Sequence, residues 1–452
     1  MNNNFSTSMP RVSIERNDMH ASLKDPVLGA ISFLNEIMDH YPNAISFAPG
    51  APYAGFFDEI DVGRYLKRYS QYLTEERRMS KSQIRKRLYQ YGPSKGEING
   101  LLADALRLDE GIDVTPESIV VTVGCQEALL LVLKALCSTP NDLLAVVNPC
   151  FVGVVGAASV LNVPTVAVNE TKDGLDWQDL VRVCHSARAQ GQRIRALYVA
   201  PDFSNPSGSS LDMECRSRLL EFAETEDFLL LEDNAYGFTA SYGNALPTLK
   251  SLDKNARVIY FGTCAKICLP GVRVGFVVAD QLVVEGTHKY GILADELAAL
   301  KSMVTVNTSP ICQAIVGGMM LEHGGSLAAV GKPKGAFYQR NLGLLLAALE
   351  RYVGPANGID RVSWNVPSGG FFVCMTLPVE VNAQLLQDCA AEYGVLWTPM
   401  RHFYLDGGGN NQLRLACSYL TADDIDKGIQ RLAHFLRDRC AASPVALGNV
   451  LS

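Results

Sequence analysis

The chain has 452 residues, of which 48% are hydrophobic and 19% are charged, and its formal net charge is −7. A charged fraction below the usual ~25% excludes general disorder, and the length suits two to three domains with a sizeable core. The mildly acidic balance provides no electrostatic footprint for nucleic acid or for an anionic membrane, so we expect neither as a partner.

The N-terminal region is polar, and residues 1–25 are predicted to form a flexible segment without an export signal. Twelve cysteines are scattered along the chain without a CxxC pair or a zinc-ligand spacing. This usage favours free thiols in a reducing cytoplasm and no metal site. Residues 26–75 are expected to join a smaller C-terminal domain in space.

Residues 76–335 alternate short apolar runs with helical stretches and are predicted to form one large domain. Helices are predicted at 126–136, 177–188 and 212–226. Strands are predicted at 119–123, 143–147, 163–168, 196–200, 228–231, 258–261 and 272–278. The alternation predicts an α/β fold with a mostly parallel sheet, helices on both faces and ligands at the carboxyl ends of the strands.

One stretch within this domain needs comparison with a membrane span. Residues 143–169 carry no charge, which exceeds the ~18 apolar residues typical of a membrane helix. Pro149, Gly153, Gly156 and Pro164 interrupt the stretch. The pattern therefore favours a strand, a helix and a second strand, and we predict no membrane span.

Residues 336–452 are predicted to form a smaller α+β domain. Strand-like segments lie at 373–377 and 413–416, and a last helix begins near Thr421. Thr421 can cap that helix together with Asp424 in the third position. Its apolar face is predicted to consist of Ile425, Ile429, Leu432 and Leu436.

Polar and glycine-rich motifs follow the predicted strands in a fixed order. They read VGCQEAL, NPCF, PDFSNPSG, LLLEDNAYG and TCAKICLPGVRVG along the chain. In this order the motifs resemble those of the class I and II aminotransferases, fold type I enzymes that use pyridoxal 5'-phosphate. The resemblance runs from about residue 45 to 437 and implies that fold, that cofactor and a homodimer.

Within this family the chain most resembles the aminotransferases that make hydroxyphenylglycine and dihydroxyphenylglycine. The stretches that carry this closer resemblance are SFAPGAPYAGFFD, VGCQEAL, PDFSNPSG, LLLEDNAYG, KSMVTVNTSP and VLWTPMRHFY. They imply an aromatic or arylglycine substrate. Two of these stretches carry Tyr53, Phe56, Phe57, His402, Phe403 and Tyr404, which are candidates for an aromatic pocket or for packing.

The resemblance assigns the reacting groups. Lys266 would hold the cofactor aldehyde reversibly and would then move a proton between the substrate α-carbon and the cofactor. Asp233 would keep the pyridine nitrogen protonated, and Asn205 and Tyr236 would bond the ring oxygen. From the residues alone, Asp233 can also cap a turn, and Asn205 can belong to a simple turn before Pro206.

The resemblance also places the phosphate. Gly124, Cys125 and Gln126 open a helix after a strand, so their backbone amides would face the anion. Thr263 would add a hydroxyl group and Arg273 a charged fork of donors. A thiol is a weak donor, so the backbone must dominate at Cys125.

The remaining candidates surround the ring and the substrate. Phe151 would stack on the ring, although it can equally be a core residue. Arg414 would bind the substrate carboxylate, and Gly50 would let the substrate approach the backbone. In this family Tyr91 would reach the phosphate of a neighbouring subunit, which assumes the homodimer.

These residues predict a cytoplasmic aminotransferase that exchanges an amino group between an amino acid and a 2-oxo acid by a ping-pong mechanism. The same residues suit elimination, decarboxylation or oxidation at the α-carbon, and the sequence does not distinguish these reactions. A ligand-sensing regulator would need a DNA-binding module, but the residues before the family match are neither basic nor patterned as one. A scaffold without activity is disfavoured because Lys266, Asp233 and Arg414 are all present.

Overall fold

The computed structural model describes residues 12–171, 174–240 and 245–440, without the side chains of residues 30–35. Its helices are α1 Pro26–His40, α2 Val62–Glu75, α3 Lys81–Tyr89, α4 Asn99–Glu110, α5 Cys125–Leu136, α6 Val152–Val160, α7 Trp177–Ala189, α8 Met213–Glu226, α9 Leu249–Leu252, α10 Leu293–Val304, α11 Pro310–Glu322, α12 Leu327–Tyr352, α13 Ala383–Asp388 and α14 Ala422–Cys440. Its strands are β1 Ile45–Ser46, β2 Ile119–Thr122, β3 Asp142–Asn148, β4 Thr165–Thr171, β5 Gly174–Leu175, β6 Arg193–Val199, β7 Leu229–Asn234, β8 Val258–Thr263, β9 Gly275–Val278, β10 Leu282–Glu285, β11 His288–Ile292, β12 Ser363–Trp364, β13 Phe372–Thr376, β14 Val395–Leu396, β15 Thr398–Pro399 and β16 Gln412–Ala416.

An eight-stranded sheet in the order β2–β9–β8–β7–β6–β3–β4–β5 forms the large part of the fold. The strands β8, β7, β6, β3 and β4 run parallel, whereas β9 is antiparallel to both of its neighbours. The predicted mostly parallel α/β sheet is therefore confirmed. The predicted strand 272–278 is shorter, because Pro270 starts a turn and Arg273 has a positive φ of 51°.

The uncharged stretch 143–169 forms β3, α6 and β4, as the interrupting proline and glycine residues predicted. Across the described ranges, no helix is both long enough and apolar enough to cross a membrane. The strand β3 is buried on both faces, which explains why its sequence is almost entirely aliphatic.

A second, antiparallel sheet in the order β12–β13–β16–β15 forms the smaller part. The long helix α12 and the last helix α14 pack beside it. The predicted cap of α14 is present, because Thr421 Oγ1 accepts from Asp424 N at 3.2 Å and Asp424 Oδ2 accepts from Thr421 N at 3.3 Å. The predicted apolar face is fully buried and comprises Ile425, Ile429, Leu432 and Leu436.

The N-terminal segment divides between the two parts of the fold. The strand β1 pairs in parallel with β14, as expected for the smaller part, but α2 packs on α11. Tyr65, Tyr69, Tyr72 and Leu73 anchor α2 in the same core as residues of the large sheet. The prediction that all of 26–75 joins the smaller domain therefore needs correction for α2. The other boundaries stay predictions.

Part of the predicted flexible N-terminus has local structure. Residues 1–11 lie outside the described residues, whereas Ala21–Lys24 forms a short 3-10 turn. Asp25 caps α1 and accepts from Ser159 Oγ at 2.6 Å, and Asn162 Nδ2 lies 3.1 Å from His20 Nε2. These contacts attach residues 20–25 to the helix α6 and to the turn that follows it.

Candidate active site

A cavity of about 380 Å³ lies where the strand ends of the large sheet meet the smaller sheet. The predicted site residues lie at the carboxyl end of β7 and at or after the carboxyl ends of β2, β3, β6 and β8, as expected for a parallel sheet. Eleven of the thirteen predicted site residues line the cavity: Gly50, Cys125, Gln126, Phe151, Asn205, Asp233, Tyr236, Thr263, Lys266, Arg273 and Arg414.

Lys266 follows the end of β8 and is partly buried, with its side chain at the cavity. Its ammonium donates a 2.5 Å hydrogen bond to the carbonyl oxygen of Gly50. Burial first, and then the Arg414 guanidinium, lower the pKa of Lys266 to about 8, while Asp233 acts in the opposite direction. A fraction of the side chain is therefore a neutral amine near pH 7, which suits a nucleophile and a proton carrier.

Asp233 lies near the end of β7 and is buried. Its Oδ2 accepts a 2.6 Å hydrogen bond from the Tyr198 hydroxyl group, whereas its buried Oδ1 has no partner within the part of the chain that the structure describes. Burial raises the pKa of Asp233, although the Tyr198 bond and the Lys266 charge oppose that rise. An unpartnered acceptor at a cavity is suited to a ligand N–H group.

Arg414 reaches the cavity from the middle of β16 and is buried. Its Nη1 donates to Asn205 Oδ1 at 2.6 Å, and its Nη2 donates to the carbonyl oxygen of Ala48 at 2.7 Å. The rings of Phe372 and Phe403 lie 4.3 and 4.8 Å from the guanidinium carbon. Burial lowers its pKa to about 10, so Arg414 stays charged at neutral pH.

Tyr236 follows β7 and packs edge-on against Phe371 and Phe372, at ring-centroid distances of 5.0 and 5.5 Å. Burial raises the pKa of its phenol, although the Arg414 charge and a hydrogen bond with Asn205 act against that rise. Tyr236 is therefore a neutral hydroxyl donor at the cavity.

The turn between β2 and α5 forms the opposite end of the cavity. Gly124 has a φ of 78°, and a side chain there would collide with the Arg273 guanidinium. Helix α5 starts at Cys125, whose thiol donates a 3.2 Å hydrogen bond to the carbonyl oxygen of Gly262. Burial raises the pKa of this thiol. The turn thus offers backbone donors and a guanidinium to an anion, while the thiol is engaged elsewhere.

Three further residues complete this end of the cavity. Thr263 Oγ1 accepts a 3.1 Å hydrogen bond from the amide of Ala265 and also interacts with the Cys125 thiol, so this hydroxyl group lies beside the amino end of α5. Gln126 Nε2 donates to the carbonyl oxygen of Gly153 at 2.7 Å. A side chain at Gly153 would collide with Gln126 and with the ring of Phe151, so the glycine leaves room for both.

Two predicted residues do not line the cavity. Gly124 lies one residue outside it, beside Arg273. Tyr91 lies on the surface, 84% exposed, and its predicted role requires a second subunit. The structure also gives Gly50 another reason to be glycine, because a Cβ atom there would lie 2.6 Å from the ring of Phe372.

The six residues that are candidates for an aromatic pocket or for packing differ in their positions. Of its six candidates, Phe403 alone lines the cavity. Tyr53 stacks on Phe337 at 4.8 Å, and Phe56 packs against Phe337 and Tyr338, so these rings belong to an aromatic core. Packing on α12 explains their sequence pattern.

Sequence reasoning missed residues that the tertiary structure brings to the cavity. Tyr198 is the clearest of them, and its signal is a hydroxyl group within the buried aliphatic second half of β6, where it needs a partner. Met38 of α1 and Val152 of α6 also line the cavity. Neither residue has a polar group, so no local pattern identified them.

Comparisons with known proteins agree with this arrangement. The family described as Aminotransferase class I and II matches residues 62–432. The (S)-3,5-dihydroxyphenylglycine transaminase of Amycolatopsis orientalis is 47% identical over 93% of this chain and 94% of its own length. The Aromatic-amino-acid aminotransferase 1 of Thermococcus litoralis is 29% identical over 77% of this chain and 80% of its own.

A solved structure matches over nearly the whole chain. The kynurenine aminotransferase of Pyrococcus horikoshii, solved in complex with PMP, superposes with a TM-score of 0.77 at 26% identity. The match covers 95% of this chain and 98% of that one. The fold is therefore that of the fold type I enzymes, and the protein belongs to the class I and II aminotransferase family as an amino-acid transaminase.

Proposed function

We propose that this cavity binds pyridoxal 5'-phosphate and transfers an amino group between an arylglycine-type amino acid and a 2-oxo acid by a ping-pong mechanism. The observation that carries the proposal is the convergence of Lys266, Asp233 and Arg414 on one cavity. These side chains supply an amine of lowered pKa, a carboxylate with a free oxygen and a buried guanidinium.

The residues present fit the cofactor. When bound, it supplies an aldehyde for the amine and a ring that accepts electrons. The unpartnered Oδ1 of Asp233 suits the protonated ring nitrogen, and Tyr236 and Asn205 suit the ring oxygen. The amino end of α5 and Arg273 suit the phosphate, and Phe151, Thr263 and Gln126 line the same region.

In this proposal Lys266 moves the proton at the substrate α-carbon. An ammonium cannot accept that proton, so the step requires the neutral amine. Burial and the nearby Arg414 charge favour the neutral form by lowering the pKa of Lys266 to about 8. The carbonyl of Gly50, 2.5 Å from Nζ, fixes the position of the amine.

Arg414 binds and orients the substrate carboxylate. Its buried Nε has no hydrogen-bond partner among the described residues, and its other two nitrogens are held by Asn205 and Ala48. A carboxylate therefore meets a guanidinium whose position is already fixed, which reduces the entropy cost of binding. The link between Arg414 and Asn205 joins the substrate subsite to the ring-oxygen subsite.

The substrate class follows from the cavity wall and from the similar enzymes. Beyond the charged and polar groups already assigned, the lining residues are apolar and include Met38, Val152 and Phe403. Such a wall suits an aromatic ring and provides no partner for an acidic side chain. The 47% identical relative is named a dihydroxyphenylglycine transaminase, which favours an arylglycine.

We also propose a homodimer in which Tyr91 reaches the phosphate of the partner subunit, and a cytoplasmic location. Tyr91 is 84% exposed, and Tyr89, two residues before it, is 74% exposed, which suits contact with a second copy. The twelve cysteines are all free, which suits a reducing compartment. Sedimentation of the wild-type protein and of Tyr91→Asp checks the assembly, and a wild-type monomer would contradict it.

The test of the proposed function is the visible absorption spectrum of the protein loaded with pyridoxal phosphate. Single amino acids are added in turn: hydroxyphenylglycine, phenylalanine, tyrosine, glutamate and alanine. We expect hydroxyphenylglycine to convert a band near ~420 nm to one near ~330 nm, and a 2-oxo acid to reverse it. Lys266→Ala should give no conversion.

The alternative reactions give a different result in the same experiment. Elimination, decarboxylation or oxidation would consume the amino acid without moving its amine to a supplied 2-oxo acid. Recovery of the amine in that acid therefore distinguishes transamination from them. Absence of any cofactor band after adding pyridoxal phosphate would contradict the proposed site.

A further inference from the structure

Lys301 lies near the end of α10 and its side chain is fully buried, outside the cavity. Its ammonium donates to Glu127 Oε2 and to Thr305 Oγ1, both at 2.7 Å. Thr305 Oγ1 in turn donates to Glu127 Oε1 at 2.5 Å. Burying this cation is costly, and the carboxylate and hydroxyl oxygens offset the cost.

The partner of Lys301 belongs to the turn proposed for the phosphate. Glu127 is in the first turn of α5, and its side chain is 7% exposed. Its Oε2 also accepts a 2.7 Å hydrogen bond from the amide of Val123, the residue before Gly124. The carboxylate thus closes the turn from Val123 to Glu127.

The carboxylate of Glu127 creates an electrostatic conflict at this turn. A negative charge in the first turn stabilises a helix, but the same amino end is proposed to bind an anionic phosphate. Two negative charges near one helix end repel each other, more strongly where water is excluded. Lys301 neutralises Glu127 and leaves the dipole of α5 and the Arg273 charge available to the ligand.

The loop that follows Lys301 strengthens the same turn. It belongs to the stretch KSMVTVNTSP, for which the reaction itself gives no role. Thr308 Oγ1 donates a 3.0 Å hydrogen bond to the carbonyl oxygen of Val121 in β2. Residues 301–308 therefore hold both the strand and the helix that flank Gly124.

We propose that Lys301 is a positioning residue for the cofactor phosphate: it cancels the Glu127 charge and thereby keeps the α5 turn closed and able to bind an anion. This inference rests on the proposed function, since it assumes a phosphate at that turn. Lys301 touches neither the cavity nor the reacting atoms, so it acts only through Glu127.

The test compares two probes, pyridoxal phosphate and pyridoxal, which lacks the phosphate. Their dissociation constants are measured with apoenzyme by absorbance for the wild type, Lys301→Met, Glu127→Gln, and Glu127→Gln combined with Lys301→Met. The exposed Lys289→Met serves as the control for the loss of a lysine charge. Thermal unfolding of each apoenzyme is measured in parallel.

We expect Lys301→Met to weaken the binding of pyridoxal phosphate about tenfold or more and the binding of pyridoxal less than about twofold. The reason is that only the phosphate meets the uncompensated charge of Glu127. Glu127→Gln keeps the hydrogen-bond acceptor for Val123 and should not weaken either probe, even if it lowers the unfolding temperature. The double variant contains neither buried charge and should recover most of the phosphate affinity. It also remains informative if Lys301→Met does not fold.

A purely structural role gives another pattern and would overturn the inference. Lys301→Met would then weaken the binding of both probes by the same factor, or Glu127→Gln would weaken the binding of pyridoxal phosphate as strongly as Lys301→Met does. The proposed function fails differently, because the wild-type protein would then bind pyridoxal phosphate no better than pyridoxal.

Discussion

Two lysines of this protein, Lys266 and Lys301, lie in regions that treat the ammonium group in different ways. Lys301 is fully buried beside the carboxylate of Glu127, whereas the ammonium of Lys266 donates to the carbonyl of Gly50 and lies near the charge of Arg414. Burial lowers the pKa in both regions, but only Glu127 opposes this effect directly across a 2.7 Å ion pair.

This difference separates a lysine prepared for chemistry from one that maintains structure. A buried amine without a close carboxylate loses its proton readily and can act as a base or nucleophile. A lysine paired with a carboxylate keeps its proton and fixes a geometry. The neighbouring groups of Glu127, Gly50 and Arg414, and not the residue type, determine which role each lysine has.

The largest expected effect comes from removing the amine in the first region. Lys266→Ala should lower the rate of amino transfer about ten-thousand-fold, because no other described lysine lines the cavity. Single-turnover absorbance with a bound cofactor measures this rate. The matched Lys301→Met should lose far less activity once saturated with cofactor, and equal losses would remove the distinction between the two regions.

A smaller loss is expected at the guanidinium that depresses the pKa of Lys266. Arg414→Met should lower kcat/KM for the amino acid about a hundredfold, because the substrate carboxylate loses a buried, charged hydrogen-bond donor. Steady-state kinetics with an amino acid and with the corresponding amine, which lacks the carboxylate, measures the effect. The variant should affect the amine little, and a similar loss for both would contradict carboxylate binding.

The pH dependence of cofactor capture tests the state of Lys266 directly. With a pKa of about 8, the neutral amine increases as pH rises, so the rate of pyridoxal phosphate binding to apoenzyme should increase about tenfold between pH 7 and 9. Stopped-flow absorbance follows this reaction. A rate that is constant over this range would show that Lys266 is not the titrating group.

The smallest expected effect concerns Tyr198. The 2.6 Å hydrogen bond from Tyr198 to Asp233 Oδ2 lowers the pKa of that buried carboxyl group. Tyr198→Phe removes this bond, so the pKa of Asp233 should rise further. We expect about a fivefold loss in kcat, because one hydrogen bond to a charged group is lost. The pH titration of the bound cofactor's absorbance should shift in the same variant. An unchanged titration would assign Tyr198 to packing alone.

Much of the fold could be predicted from the sequence. The buried strands are continuous aliphatic runs ended by glycine, proline or asparagine, so their positions were predicted to within a few residues. The order of motifs after the strands placed eleven candidates at one cavity, because parallel strands bring their carboxyl ends to the same edge. The capping of α14 followed from Thr421 and Asp424 in the same way.

Other features were not accessible from local patterns. The sequence left Tyr53 and Phe56 open between a pocket and packing, and the structure shows that Phe337 and Tyr338 of α12 enclose them. Residues 26–75 are expected to join the smaller part, yet the tyrosines of α2 pack in the core that includes α11. In each case a segment far away in the chain provides the packing partner.

Local sequence thus specifies the strand ends and the types of reactive group that follow them, since burial and turn formation act over a few residues. Which of these groups are paired depends on the folding of the whole chain. Lys301 meets Glu127 across 174 residues, and Arg414 meets Asn205 across 209. Because charge, burial and hydrogen bonding act through space, the chemistry of each lysine depends on neighbours that the local sequence does not specify.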